Sequence, residues 1–225
     1  MLLFMSGRLL SRRAWLAVAA VALTGSACER FYYSTMKKFG KEKRDILVNR
    51  VKDARKSQEE AKNEFKTAIE RFKDVIDVPG GKLEDKYEKL NKELERSEDR
   101  AKQVRDRIDS VRNVSDDLFK EWDKELRQYA DKSLRAESER ELRETRKRCD
   151  TLVRSMERAQ QKIEPVLVPL RDRVLFLKHN LNAQAIGAID AELTKVRTNV
   201  DELVADLEKS IAEAEDFIKT MNVES

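Results

Sequence analysis

Apolar positions recur along the chain at helical spacing and define four stripes. In the first, Leu47, Val51, Ala54, Gln58, Ala61, Phe65, Ala68, Phe72 and Val75 alternate steps of four and three until Pro79-Gly80-Gly81 stops the pattern. The second runs Leu83, Tyr87, Leu90, Leu94, Ser97, Ala101, Val104, Ile108 and Val111 in the same alternation, held for four heptads. A repeat averaging 3.5 residues keeps one face of a helix on a common seam. Two such stripes joined by Pro-Gly-Gly predict an antiparallel helical hairpin. Residues 82 to 164 contain neither Gly nor Pro, a run that only helix tolerates comfortably.

The second stripe continues through Leu118, Trp122, Leu126 and Tyr129, where successive steps of four mark a stutter. Apolar residues then lapse near Ala130-Asp131-Lys132-Ser133, which predicts a turn. Ser133, or Ser138 with Glu141 in capping-box spacing, is expected to start the next helix. A third stripe follows in Leu142, Thr145, Cys149, Leu152, Met156, Ala159, Ile163, Val166 and Leu170. The fourth runs Ile186, Ile189, Leu193, Val196, Val200, Leu203, Leu207, Ala214, Phe217 and Met221, and Asn180 and Asn182 stand between the two as cap residues. Pro165 and Pro169 each remove a backbone donor, so a kink or short break is expected in the third helix. Val174-Leu175-Phe176-Leu177, the most apolar run after the N-terminal region, is expected to be fully buried, with a ligand groove or membrane-inserting patch as the alternative. The fold class is therefore all-α: an elongated, antiparallel, coiled-coil-like bundle of about four long helices, occupying residues 45–225.

The N-terminal region has a different pattern. Arg8, Arg12 and Arg13 precede an apolar or small stretch, residues 14 to 27, that ends immediately before Cys28. A basic region, a short apolar region and small residues before a cut form the secretory pattern. Fourteen helical residues reach only about 21 Å, short of a membrane's hydrocarbon core of about 30 Å. Leu23-Thr24-Gly25-Ser26-Ala27-Cys28 resembles a bacterial lipobox, with Gly25 standing where Leu is usual. Residues 1–27 are thus read as a lipoprotein-type signal peptide with Cys28 as the lipidation site. Ordinary secretion through a cut after Ala27 and an uncleaved anchor are the alternatives. Glu29, where inner-membrane retention usually uses Asp, implies an outer-membrane lipoprotein facing the periplasm.

Charge sharpens this picture. The chain has 47 Lys and Arg against 43 Asp and Glu, 40% of its 225 residues, and one His. Without residues 1–27 the balance falls to +1, and Lys37, Lys38, Lys41, Lys43 and Arg44 carry the local excess, leaving residues 45–225 at −3. A nucleic-acid partner would require a basic face that this body lacks. Residues 28–44 are read as a membrane-proximal tether: Phe31, Tyr32 and Tyr33 suit the bilayer interface, and Lys37, Lys38, Lys41, Lys43 and Arg44 suit anionic headgroups. Cys149, on the third stripe, is expected to pack as a small hydrophobe. His179 is expected to serve the helix junction as a structural cap. No constellation of acid, base and nucleophile stands out, and no catalytic, cofactor or metal site, nor a small-molecule substrate, is expected.

Several strings carry a family resemblance: Tyr32-Tyr33-Ser34, Lys43-Arg44-Asp45-Ile46-Leu47-Val48, Asp106-Arg107-Ile108-Asp109-Ser110, Leu118-Phe119 with Trp122, Arg154-Ser155-Met156, and Leu177-Lys178-His179-Asn180-Leu181-Asn182-Ala183. Together they resemble the bacterial envelope family catalogued as domain of unknown function 2959, over residues 28 to 221. The resemblance implies placement in the cell envelope of a Gram-negative bacterium and assigns no active residue. The resulting expectation is a lipid-anchored structural or interaction protein that meets an envelope partner or itself. The alternative is a peripheral membrane-remodelling or lipid-binding helical module.

Overall fold

The structure, a computed structural model, describes residues 43–223. The expectations for residues 1–42, including the signal peptide, Cys28 and most of the tether, lie outside the described residues. Five helices follow in order: α1 (Lys43–Asp77), α2 (Leu83–Glu125), α3 (Lys132–Gln161), α4 (Glu164–His179) and α5 (Ala183–Val223), with one 3-10 turn, Leu126–Gln128, after α2. The described residues contain no strand. α3 and α4 continue one another, so the bundle has four arms. α1 packs on α2 and α5, and the α3–α4 arm packs on the same two helices.

Each stripe becomes a seam because a helix returns to the same face every seven residues. Leu47, Val51, Ala61, Phe65 and Phe72 of α1 and Leu90, Val104, Ile108 and Val111 of α2 are essentially inaccessible. Burying the Val, Leu, Ile and Phe side chains among them contributes about 1.5–3 kcal/mol each. The α1–α2 turn forms as the Pro-Gly-Gly requires, with Gly80 at φ 72° and Gly81 at φ 81°, a left-handed region that a side chain disfavours. α1 has no basic residue in its last turn. Lys86 of α2 supplies the missing cation, its Nζ donating to the carbonyls of Ile76 (3.1 Å) and Val78 (2.7 Å).

Antiparallel register is visible in ion pairs that descend one helix as they ascend the next. Between α1 and α2 these are Lys43–Glu121 (2.9 Å), Arg100–Glu60 (2.7 Å) and Arg71–Glu93 (2.7 Å). Between α2 and the α3–α4 arm they are Arg146–Asp123 (2.8 Å), Arg112–Glu157 and Arg171–Glu98 (2.6 Å). Lys162–Glu202 (2.8 Å) and Arg173–Glu192 (3.2 Å) join that arm to α5, and Arg55–Glu215 (2.9 Å) joins α5 back to α1. Partly exposed pairs contribute about 0–1 kcal/mol each. In the seam between α1 and α5, buried Ser210 Oγ donates to Gln58 Oε1 at 3.0 Å. A polar pair at such a position disfavours any shifted register that would strand it.

The third arm breaks where the prolines predict. Lys162 N–H donates to Ala159 O and Ile163 N–H to Gln160 O, a tightening to i→i−3 bonds before α4 begins. Pro165 occupies the first turn of α4, where no donor is needed. Pro169 lies inside α4 and leaves the carbonyl of Pro165 without its helical donor. Asn199 of α5 replaces that donor, Nδ2 to O at 3.0 Å.

Three expectations are corrected. Val174 and Leu177 are buried, but Leu175 is 55% and Phe176 49% exposed. At 100° per residue four consecutive positions point in nearly every direction, and in a single-layer bundle only one face of α4 meets neighbours. The run is therefore not a fully buried core piece. α3 starts at neither Ser133 nor Ser138: Asp131 is the N-cap, its Oδ1 accepting from Ser133 N–H (2.7 Å) and Leu134 N–H (3.2 Å). Ser138 instead faces α2, where its Oγ accepts from Trp122 Nε1 at 2.8 Å. Tyr129, expected on the second stripe, follows the 3-10 turn with extended backbone and is 42% exposed.

Leu94 is 5% exposed in the α1–α2 seam, next to the Arg71–Glu93 pair. Leu94→Pro removes a ladder bond and a core side chain together, so it should lower unfolding free energy by about 3 kcal/mol or more and remove much of the helical circular dichroism. Thermal unfolding followed by circular dichroism checks this, and a variant that melts with the parent contradicts the seam.

Candidate functional site

Two members of the expected membrane-contact set fall within the described residues. α1 begins at Lys43, two residues before the boundary drawn from sequence, and both Lys43 and Arg44 join the bundle. Lys43 Nζ pairs with Glu121 Oε2 of α2, and Arg44 Nη2 donates to the carbonyl of Met221 in α5 at 3.4 Å. The start of α1, the end of α2 and the end of α5 therefore meet at one end of the bundle. Phe31, Tyr32, Tyr33, Lys37, Lys38, Lys41 and Cys28 lie outside the described residues.

At that end α2 runs on past Glu121 and returns through the 3-10 turn into α3. Trp122 bonded to Ser138, and the Arg146 guanidinium 5.2 Å from the centre of the Phe119 ring, tie the two helices together. Beyond them every residue from 127 to 137 is exposed, among them Tyr129 and Leu134. Sequence reasoning placed Tyr129 in the core and passed over Leu134. The available signal was that Leu134 fits neither the second nor the third stripe.

Cys149 is buried and free, against Ser115 of α2. Burial pushes its thiol up to about 12, the nearby Asp150 and Asp116 add to the rise, and the hydrogen bond with Ser115 opposes it. A thiol held protonated makes a poor nucleophile and a poor metal ligand, in keeping with a packing residue. His179 is the last residue of α4 and is exposed. The capping falls to its neighbours: Asn180 Nδ2 donates to Phe176 O (3.0 Å), and Asn182 Oδ1 accepts from Ala185 N–H (2.8 Å). His179 thus does not serve as the cap. Among the described residues no group of three His, Cys, Asp or Glu is placed to hold a metal ion. No described helix is long and apolar enough to cross a membrane.

The α3–α5 seam opens into a groove of about 590 Å³ near the same end. Leu152, Ala212 and Phe217 give it an apolar floor, and Glu144, Lys147, Arg148, Glu213 and Asp216 contribute charges of both signs. Glu213 Oε2 is buried there without a hydrogen-bond partner. The groove holds carboxylates and cations, and its one hydroxyl, Thr151 Oγ1, donates to the carbonyl of Lys147 at 2.9 Å.

Residues 32–221 match the family described as Protein of unknown function (DUF2959). The chain belongs to that family. The DUF2959 match takes in Tyr32, Tyr33 and the cations from Lys37 onward together with the bundle. No curated protein matches the chain.

The thiol gives a testable consequence. Cys149→Ala should cost about 1 kcal/mol or somewhat more through lost volume. Because the folded thiol titrates above its unfolded value, its contribution is fully present below about pH 9 and is lost as pH rises toward about 12. Denaturant titrations at pH 7 and pH 10 should show the parent losing more stability than Cys149→Ala. Equal losses would contradict the buried, protonated thiol.

Proposed function

We propose that this protein is a lipid-anchored structural or interaction protein of the cell envelope, acylated at Cys28, facing the periplasm from the outer membrane and without catalytic activity. The observation that carries the reading is the position of Lys43. The chain following Cys28 joins the bundle at one end rather than along a side, so an anchor there lets the arms extend away from the bilayer. The arms reach far: 43 residues of α2 and 41 of α5 correspond to about 60 Å each. Their flanks carry intermixed ion-paired charges, a surface that stays solvated while the ends make contacts.

The alternative, a membrane-remodelling or lipid-binding module, calls for a long face of unpaired cations. Acidic partners along α1, α2 and α5 argue against such a face. The partner in this reading is an envelope protein or a second copy of the chain.

Two acyl chains on Cys28, joined by the basic residues from Lys37 to Lys41, are sufficient for stable anchoring where one chain is marginal. Wild-type protein should therefore carry acyl mass at its N-terminus and resist extraction by salt, because acyl burial is not screened. Cys28→Ser should release a periplasmic form or accumulate as uncleaved precursor. An unmodified N-terminus, or a Cys28→Ser protein that is processed and fractionates like the parent, replaces this reading with ordinary secretion after Ala27 or an uncleaved anchor.

A further inference from the structure

The end of the bundle where α1 begins also exposes apolar side chains. α1 starts opposite Glu121, whereas α2 continues to Glu125 and through the turn to Gln128. At about 1.5 Å per residue this hairpin projects roughly 10 Å beyond Lys43. Tyr129 and Leu134, 42% and 53% exposed, stand on this projection. Arg127, Lys132 and Arg135 flank them along the chain, against Asp131, whose carboxylate is engaged as the α3 N-cap, Glu125 just behind and exposed Glu137 one turn beyond Leu134. Arg135 pairs with Glu139, but among the described residues neither Arg127 nor Lys132 has an ion-pair partner. A protruding aromatic and a leucine beside two cations without ion partners form a pattern that suits an anionic bilayer interface.

We propose that the α2–α3 turn, through Tyr129, Leu134, Arg127 and Lys132, inserts into the interface of the same anionic membrane that holds the acylated N-terminus. The inference rests on the anchor reading for its geometry. Fourteen residues separate Cys28 from Lys43, at most about 50 Å of chain, so this end stays within reach of the bilayer. The tether raises the local concentration of lipid at the turn, which makes a contact effective that is too weak alone. With the turn seated, the bundle has two attachments and a fixed direction relative to the membrane. Val78, 57% exposed in the α1–α2 turn, marks the opposite end and faces away.

The test places a polarity-sensitive fluorophore on Leu134→Cys or Val78→Cys of the full chain, reconstituted in phosphatidylethanolamine–phosphatidylglycerol vesicles, with acyl mass measured on the same samples. Native Cys149 is buried and stays unlabelled. The expected result is a blue shift at position 134 and none at 78, with most of the shift lost on Arg127→Gln plus Lys132→Gln. Acylated protein with no shift at 134, or equal shifts at both positions, overturns the inference while leaving the anchor intact. If the N-terminus bears no acyl mass, the anchor reading fails, and the same labels in a Cys28→Ser background, which keeps the fluorophore off that thiol, read the turn alone: a shift at 134 retains the contact, and its absence overturns it.

Discussion

A helix with one apolar stripe and a charged remainder has no stable existence in water unless another stripe covers it. In this chain that requirement falls on four arms at once. α1 lies between α2 and α5, the α3–α4 arm between the same two, and every seam is shared. The seams include Ala54, Ala61, Ser97, Thr145 and Ser210 beside larger residues, so each turn buries modest area and the arms must be long. Length in turn demands register, since a seven-residue slip would preserve the apolar pattern almost unchanged. The Gln58–Ser210 pair and the charged ladders distinguish one alignment from its neighbours, contributing little energy individually but penalising the alternatives.

The proline break shows how such a bundle accommodates a defect. Pro169 deprives a carbonyl of its donor, and Asn199, on the helix across the seam, returns one. The same short helix exposes Leu175 and Phe176, because its neighbours cover only one of its faces. A kink in one arm is therefore compensated by its partner, and the other three arms run without interruption.

The two ends of the bundle differ in chemistry. One closes on Pro79-Gly80-Gly81, with the carbonyls of Ile76 and Val78 held by Lys86. The other gathers the start of α1, the end of α5 and a projecting turn bearing Tyr129 and Leu134. The DUF2959 match begins at residue 32, ahead of α1, and runs through the bundle to residue 221. A protein proposed to be anchored at Cys28 would thus present one end to lipid and hold the remainder of its length away from it, with the seams buried and the flanks solvated.

The periodicity of the sequence alone determined the helices, the hairpin, the seam residues and the break, because a 3.5-residue repeat and a proline act within a few residues of chain. The burial of Cys149 and the capping by Asn180 and Asn182 were legible for the same reason. The start of α3 was not, since Asp131, Ser133 and Ser138 are all competent caps, and only the packed structure shows Ser138 bonded to Trp122 of another helix. Nor was the exposure of Leu175, Phe176, Tyr129 and Leu134: composition makes a residue apolar, but whether a neighbour covers it depends on where the other arms end. The placement of Lys43 and Arg44 within the bundle belongs to the same class, because their partners Glu121 and Met221 lie far along the chain and only the packed structure brings them together.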